Sequence, residues 1–285
     1  MKDRYRLNID RLEICYTASI STAEELKDTA FMEREGYRLI AQESENKETI
    51  LQVEVLEPNS TEWLRFGTLK IGSTFEDEDA PFRYVWIKID NMVLYTPLYP
   101  TTSIASFLYF ITEDLSLSYN NITRLDIAVD SSVNYPVRIK KAIRDLELTP
   151  VILRKAYPEP KEIIDKLLYI HSGDRLRYRT TTISISSKDK DTALCAYNKT
   201  EEIQESGKDY ITEWDEIKPT IYRLEVRLKR AALVDYLEKR SLSFEDIYYR
   251  LLDKELLFDM FLFYSDRLLH FRKGRSSLSV LDVCA

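Results

Sequence analysis

The sequence predicts an α+β protein built on a mostly antiparallel sheet, with helices on the sheet's apolar face and a helical C-terminal appendage. Three observations carry this. Period-two alternation recurs in short segments bounded by turn signals, amphipathic helical stripes lie between these segments, and one tetrapeptide pattern occurs three times. Ile9–Thr17 sets Leu12, Ile14 and Tyr16 opposite Glu13, Cys15 and Thr17, which is a strand. Thr22–Glu35 reads as a helix, with Ser21 or Thr22 as its cap, acids in its first turn and Gly36 at its end. Ile50–Leu56, Trp63–Ile71 and Phe82–Ile89 follow as strands, separated by Glu57-Pro58-Asn59 and the acidic loop Glu76–Asp79. Ser103–Leu115 is a helix with Ile104, Phe107, Leu108, Ile111 and Leu115 on one stripe.

The second part continues with a strand at Ile122–Asp130 and helices at Val137–Leu146 and Glu159–Tyr169. A hairpin of Thr180–Ser187 and Ala193–Lys199 turns at Lys188–Asp191, and Thr220–Lys229 is the last predicted strand. Ala231–Arg240 and Phe244–Lys273 read as helices. The predicted organisation is therefore an α+β core over 1–230 and a helical region over 231–285 packed on it. Without that packing, Tyr248, Tyr249, Phe258, Phe261, Phe263 and Tyr264 form an apolar surface, the alternative being a homodimer contact. The recurring tetrapeptides are Arg11-Leu12-Glu13-Ile14, Arg124-Leu125-Asp126-Ile127 and Arg223-Leu224-Glu225-Val226. They point to two RRM-like or ferredoxin-like halves, with chance recurrence among strand residues as the competing explanation.

Composition narrows the class. The 285 residues include only 6 Gly and 9 Pro, with 44% hydrophobic and 31% charged residues, as in ordinary globular chains. No apolar run approaches the roughly 20 residues that span a bilayer, and MKDRYRLNID lacks a signal-peptide core. The cysteines Cys15, Cys195 and Cys284 are odd in number and far apart, which disfavours a disulfide framework. The expectation is a cytoplasmic protein with no membrane partner. Net charge is −7, but it is uneven: residues 1–120 hold 12 Lys and Arg against 21 Asp and Glu, and residues 121–285 hold 29 against 27. Any footprint for a polyanion belongs in the second part.

Strand parity assembles a candidate site there. Alternate side chains share a face. Arg124, Asp126, Ala128 and Asp130 oppose Leu125, Ile127 and Val129. Arg223, Glu225, Arg227 and Lys229 oppose Tyr222, Leu224, Val226 and Leu228. Cys195, Tyr197 and Lys199 align, as do Thr180, Thr182, Ser184 and Ser186. Paired in one sheet, these strands gather Asp126, Asp130 and Glu225 with Tyr197, Lys199 and Arg227. Carboxylates with few histidines make a hard oxygen site for Mg²⁺ or Mn²⁺, which polarises a phosphodiester. A nearby tyrosine can attack phosphorus, while Lys199, Arg223, Arg227 and Lys229 hold backbone phosphates. The alternative is a solvated face on which Arg and Glu of adjacent strands merely pair. The two histidines, His171 and His270, have no metal-ligand spacing, and no Gly-rich phosphate loop follows Gly67.

The order Thr123-Arg-Leu-Asp126-Ile-Ala-Val-Asp130, then Tyr197-Asn198-Lys199 with Glu201-Glu202, then Tyr222-Arg223-Leu-Glu225-Val-Arg227, resembles the replication initiation factor family. These are rolling-circle initiators of small plasmids, with similar proteins in filamentous phages. The resemblance spans about residues 123–230. It implies a metal-dependent endonuclease that nicks one strand of origin DNA and keeps the 5′ end on a tyrosine. Asp126, Asp130 and Glu225 are then metal or phosphate-polarising residues, and Lys199, Arg223 and Arg227 contact DNA. The family has a Tyr and a Gly in the strand before the turn, where this chain has Thr182-Ile183-Ser184-Ile185-Ser186. Tyr197 or Tyr178 then supplies the nucleophile, or the chain binds DNA without covalent nicking, as its acidic balance favours. Tyr197 is the first choice because it shares a face with Lys199, expected to ease phenolate formation. Tyr178, amid Arg175, Arg177 and Arg179, suits base stacking.

Overall fold

The structure is a computed structural model that describes residues 5–44, 48–56, 61–72, 80–95, 101–157, 169–173, 179–207, 220–250 and 253–284. The chain forms two compact units, one of Met1–Asp10, Asp126–Arg240 and Arg250–Ala285, the other of Arg11–Leu125 and Ser241–Tyr249. The α+β class stands, and the registers along both units are antiparallel. Among the described residues no helix is long and apolar enough to cross a membrane.

In the unit centred on Arg11–Leu125, β1 (Arg6–Ser19) leads into α1 (Ile20–Asp28), followed by β2 (Phe31–Arg34), β3 (Tyr37–Gln42), β4 (Thr49–Leu56), β5 (Trp63–Ile71) and β6 (Phe82–Ile89). Then come α2 (Asn91–Tyr95), α3 (Thr101–Asp114) and β7 (Ser118–Ser131). The order β7-β1-β6-β5-β4-β3-β2 is a meander with β1 returning beside its last strand. Every second residue of β4 to β6 is buried, Leu51, Val53, Val55, Leu69, Ile71, Val85, Ile87 and Ile89 among them. The predicted stripe of α3 lies over them, with Phe107 edge-on to Phe66 at 5.9 Å.

The predicted helix over Thr22–Glu35 is corrected. It starts at a Ser19 cap, whose Oγ accepts the Thr22 N–H at 3.1 Å, and ends at Asp28. Gly36, read as a helix stop, turns the β2–β3 hairpin at φ 83°. A left-handed glycine serves a helix end and a hairpin equally, and the pairing of Phe31 with Ile40 and Met32 with Leu39 decides between them.

In the other unit the order is β10-β11-β12-β13-β7-β1, with β10 (Tyr169–Gly173), β11 (Arg179–Ser186), β12 (Thr192–Asn198) and β13 (Tyr222–Lys229). A small second sheet, β15-β14-β8-β9, comprises β8 (Thr149–Ile152), β9 (Lys155–Ala156), β14 (Leu269–Lys273) and β15 (Ser276–Ser279). The helices are α4 (Tyr135–Ile143), α5 (Lys199–Ser206), α6 (Arg230–Arg240), α8 (Lys254–Leu268) and α9 (Val280–Cys284), with α7 (Phe244–Tyr249) in the first-described unit. Helix α4 packs on β11, β12 and β13, and α8 on β8, β12 and β13.

The tail therefore differs from the prediction in two ways. It is not all helical: Asp253 caps α8, accepting the Glu255 N–H at 2.9 Å, and the chain then becomes β14, paired with β8. Nor does the 230/231 boundary separate units, since Arg230–Arg240 belongs with β13 while Ser241–Tyr249 belongs elsewhere. The predicted Glu159–Tyr169 helix falls almost wholly outside the described residues, and Tyr169 itself opens β10.

One close approach makes a test. Gly67 sits opposite Ile89 on β5–β6, and a Cβ there would lie 2.3 Å from the Lys88 carbonyl oxygen. Two backbones cannot both yield inside a paired ladder. Gly67→Ala is expected to destabilise the protein by about 1–3 kcal/mol, seen as a fall in denaturant midpoint. An unchanged midpoint would show that β5 and β6 do not approach this closely.

Candidate active site

The predicted hairpin forms, and its register builds the site. Across β11–β12, Thr182 faces Tyr197 and Ser184 faces Cys195. Across β12–β13, Cys195 faces Glu225, Tyr197 faces Arg223 and Ala193 faces Arg227. Beyond β13 lies β7 with Asp126 and Asp130, then β1 with Asp10. The parity argument thus brings the predicted residues onto one face. It is not the solvated face considered as the alternative: Asp126, Asp130, Lys199, Arg223 and Glu225 are all buried.

Burial of five charged groups demands partners, and they have them. Arg223, with 0% exposure, grips Asp130 with two parallel bonds, Nε to Oδ1 at 2.7 Å and Nη2 to Oδ2 at 2.6 Å. Its Nη1 pairs with Asp10. This fork-to-carboxylate geometry suits guanidinium and no other cation. Lys199 Nζ pairs with Glu202 and lies 3.9 Å from Asp10. A second group sits alongside. Tyr197 Oη donates to Glu225 Oε2 at 2.8 Å, and Arg227 Nε donates to Glu225 Oε1 at 2.7 Å. The Cys195 thiol, 3.5 Å from Ser184 Oγ, lies within electrostatic reach of both Glu225 and Asp126. Burial raises its pKa above the ordinary thiol value.

Tyr197 is partly exposed. Its phenol is pushed well above its ordinary value, by burial first and by the Glu225 carboxylate second, against a smaller pull from Arg223. The expected easing by Lys199 is corrected. Lys199 is not a strand residue but the first residue of α5, begun by the Asn198 cap. Its Nζ stands 5.9 Å from the Tyr197 ring centroid, and its own pKa is lowered by burial and by Arg223. Tyr197 has a carboxylate base in contact instead of a cation.

The predicted DNA contacts divide. Lys199 and Arg223 are internal counter-ions without solvent access in this conformation. Arg227, whose side chain is 44% exposed, and the exposed Lys229 remain able to meet a phosphate. For Arg227, burial works against the charge, but the Glu225 carboxylate outweighs it and holds the guanidinium protonated. Tyr178 lies outside the described residues.

The metal ligands divide too. No group of three or more His, Cys, Asp and Glu stands ready for an ion among the described residues. Asp130 is taken by Arg223. Asp126 of β7 and Glu225 of β13 lie on adjacent strands, Glu225 already accepting from Tyr197 and Arg227, and two carboxylates suit a hard cation that completes its shell with water and phosphate oxygens. Asp10 was missed by sequence reading, and Glu202, quoted there in the motif after Lys199, was given no role. Asp10 adjoins the first echoed tetrapeptide, and an acid preceding Arg11 on a predicted strand was the available signal.

Fold and site together define an α+β protein with a tyrosine–carboxylate pair beside a buried ion-pair network on one sheet face. No family model matches the chain, and no curated protein matches it. A solved structure described as a rolling circle replication initiator protein from Geobacillus stearothermophilus is similar, with TM-score 0.44 and 15% identity over 98% of this chain and 97% of that one.

Two outcomes are expected. Arg223→Met leaves Asp130 and Asp10 without their guanidinium, at a cost of about 3–5 kcal/mol, read as a lowered unfolding midpoint. A midpoint within error of the parent would mean that the network contributes nothing to the fold. The pH dependence follows from Tyr197 and Tyr135, whose phenols burial raises above 10.0. The folded chain holds these protons where the unfolded chain has released them. This stability is complete below about pH 10 and is lost as pH climbs past it. Circular dichroism from pH 9 to 12 should show unfolding coupled to phenol ionisation. Phenols that all ionise near pH 10 in a still-folded chain would contradict it.

Proposed function

We propose that this chain is a metal-dependent DNA nickase that initiates rolling-circle replication of a small mobile element, cutting one strand at an origin through Tyr197. The observation that carries the reading is the Tyr197–Glu225 hydrogen bond at 2.8 Å on a face shared with Asp126. A nucleophile in contact with its base, on a surface with a further carboxylate, is the arrangement that tyrosine phosphoryl transfer needs. The resemblance of residues 123–230 to replication initiators supplies the substrate class, single-stranded origin DNA.

Tyr197 Oη attacks phosphorus and its proton passes to Glu225 Oε2. The Oη–P bond forms as the P–O3′ bond breaks. The 5′-phosphate stays on the tyrosine, and the freed 3′-oxygen takes a proton from water. A buried phenol of raised pKa makes this base necessary, since its anion does not form unaided near neutral pH. Asp126 and Glu225 would hold Mg²⁺ or Mn²⁺, which supplies charge stabilisation for the phosphoryl group when bound. Arg227 links Glu225 to the solvent edge and offers its remaining N–H groups to the flanking phosphate.

A second reading is DNA binding without cleavage. It is favoured by Glu225, both of whose oxygens already accept hydrogen bonds.

The test is a labelled single-stranded origin oligonucleotide with Mn²⁺, resolved on a denaturing gel for a covalent adduct. Tyr197→Phe should abolish the adduct with oligonucleotide affinity nearly unchanged, because only a hydroxyl is lost. Glu225→Gln should slow adduct formation about 10²–10⁴-fold. Gel shift without adduct in the parent protein would establish the binder. An adduct that survives Tyr197→Phe would transfer the chemistry to another tyrosine, with Tyr178 examined first.

A further inference from the structure

Strand β6 turns a row of rings to solvent. Val85, Ile87 and Ile89 are buried, so Phe82, Tyr84, Trp86 and Lys88 share the outer face. Phe82 keeps 36% and Tyr84 44% of its surface exposed, and Trp86 is half-buried. The rings stand in contact, with centroids 5.4 Å apart from Phe82 to Tyr84 and 5.9 Å from Tyr84 to Trp86. Small residues flank them. On β1, Ser19, Thr17 and Cys15 lie opposite Phe82, Tyr84 and Trp86. On the other side the Gly72 N–H donates to the Tyr84 carbonyl at 3.0 Å, and a Cβ at Gly72 would come 3.1 Å from the Trp86 ring. The row is left open on both sides.

Contiguous rings on an open sheet face cost free energy in water and mark a binding surface. Charge and spacing indicate the occupant. Lys88 continues the row and is exposed, while Glu13 opposite it is held by Arg11. Lys70, opposite Trp86, pairs with Glu48. Both acids are matched, so the face beside the rings suits an anionic ligand with flat groups to stack. A polynucleotide is such a ligand. Ring separations of 5.4 and 5.9 Å exceed the roughly 3.4 Å step along one strand of a duplex. Bases therefore meet successive rings only when unstacked from one another, as in a single strand. Acids outnumber bases by 21 to 12 in residues 1–120, which weakens any binding driven by phosphates. Stacking on aromatic rings does not depend on that balance.

We infer that the Phe82–Tyr84–Trp86 row is a stacking platform for single-stranded DNA, indifferent to sequence and separate from the tyrosine site. The row belongs to the unit of Arg11–Leu125, whereas Tyr197 belongs to the other. The inference rests on reading the chain as a DNA-handling protein, and the occupant is strand that the tyrosine does not cut. The two ideas fail separately, because adduct formation needs Tyr197, an origin and a metal, and this platform is read on a homopolymer without metal.

The experiment measures anisotropy of a labelled oligo(dT) of about 12 bases with the full chain in EDTA, over a salt series. Phe82→Thr with Tyr84→Thr removes two rings, keeps strand propensity and should weaken binding about 10-fold or more. The slope of log K against log salt should not change, because phosphate contacts are untouched. Phe82→Tyr with Tyr84→Phe should bind as the parent does. Tyr109→Ala, which removes an exposed ring of α3, should weaken binding by no more than about 2-fold. Quenching of tryptophan fluorescence by the oligonucleotide should shrink in Trp86→Phe, which reads the same contact with the row intact. A parent protein that does not bind oligo(dT) overturns the proposal. So does unchanged affinity in the threonine pair, an equal loss in Tyr109→Ala, or quenching untouched by Trp86→Phe. Tighter binding of oligo(U) would overturn it in favour of RNA. A threonine pair that converts a dimer to a monomer at unchanged affinity would give the surface to a second copy of the chain.

Discussion

The site depends on one buried guanidinium. Arg223 lies in β13 and holds Asp130 of β7 and Asp10 of β1, so three neighbouring strands are tied through a single side chain. Desolvating these charges is costly, and the cost is offset only with all the partners present. The constraint specifies pairing. A one-residue slip of β13 would turn Arg223 into the apolar face and Leu224 into the charges. The same register places Tyr197 opposite Arg223 and Glu225 opposite Cys195. The position of the tyrosine therefore follows from the ion pair.

Charges on this face are divided by task. Asp130 and Asp10 are the counter-ions of Arg223, with Lys199 beside Asp10, and all are closed to solvent or nearly so. Glu225 looks outward through Arg227 and across to Tyr197. A carboxylate committed to a buried guanidinium is a poor base and a poor metal ligand, because its oxygens are already charge-matched. Glu225 divides its two oxygens, one on the Arg227 guanidinium and the other on the Tyr197 phenol. Three acids of the same parity thus have different chemistry, decided by what each touches.

Alternation by itself determined which residues share a face: Phe82–Ile89 as a strand, the hairpin about Lys188–Asp191, and the alignment of Asp126, Asp130, Glu225 and Tyr197 were all legible locally. The β2–β3 hairpin was not, because Gly36 serves two backbone outcomes and only pairing with β4 selects one. The end of the long C-terminal helix was not, because β14 forms where β8 is present to receive it. Nor was the fate of the charges. Parity says that Arg223 and Glu225 point the same way, but burial and partner choice depend on strand order, which brings Asp10 next to Arg223 across 213 residues. Local periodicity is a property of the backbone and can be read from one segment. Desolvation and charge pairing are properties of neighbours, and the tertiary structure alone chooses the neighbours.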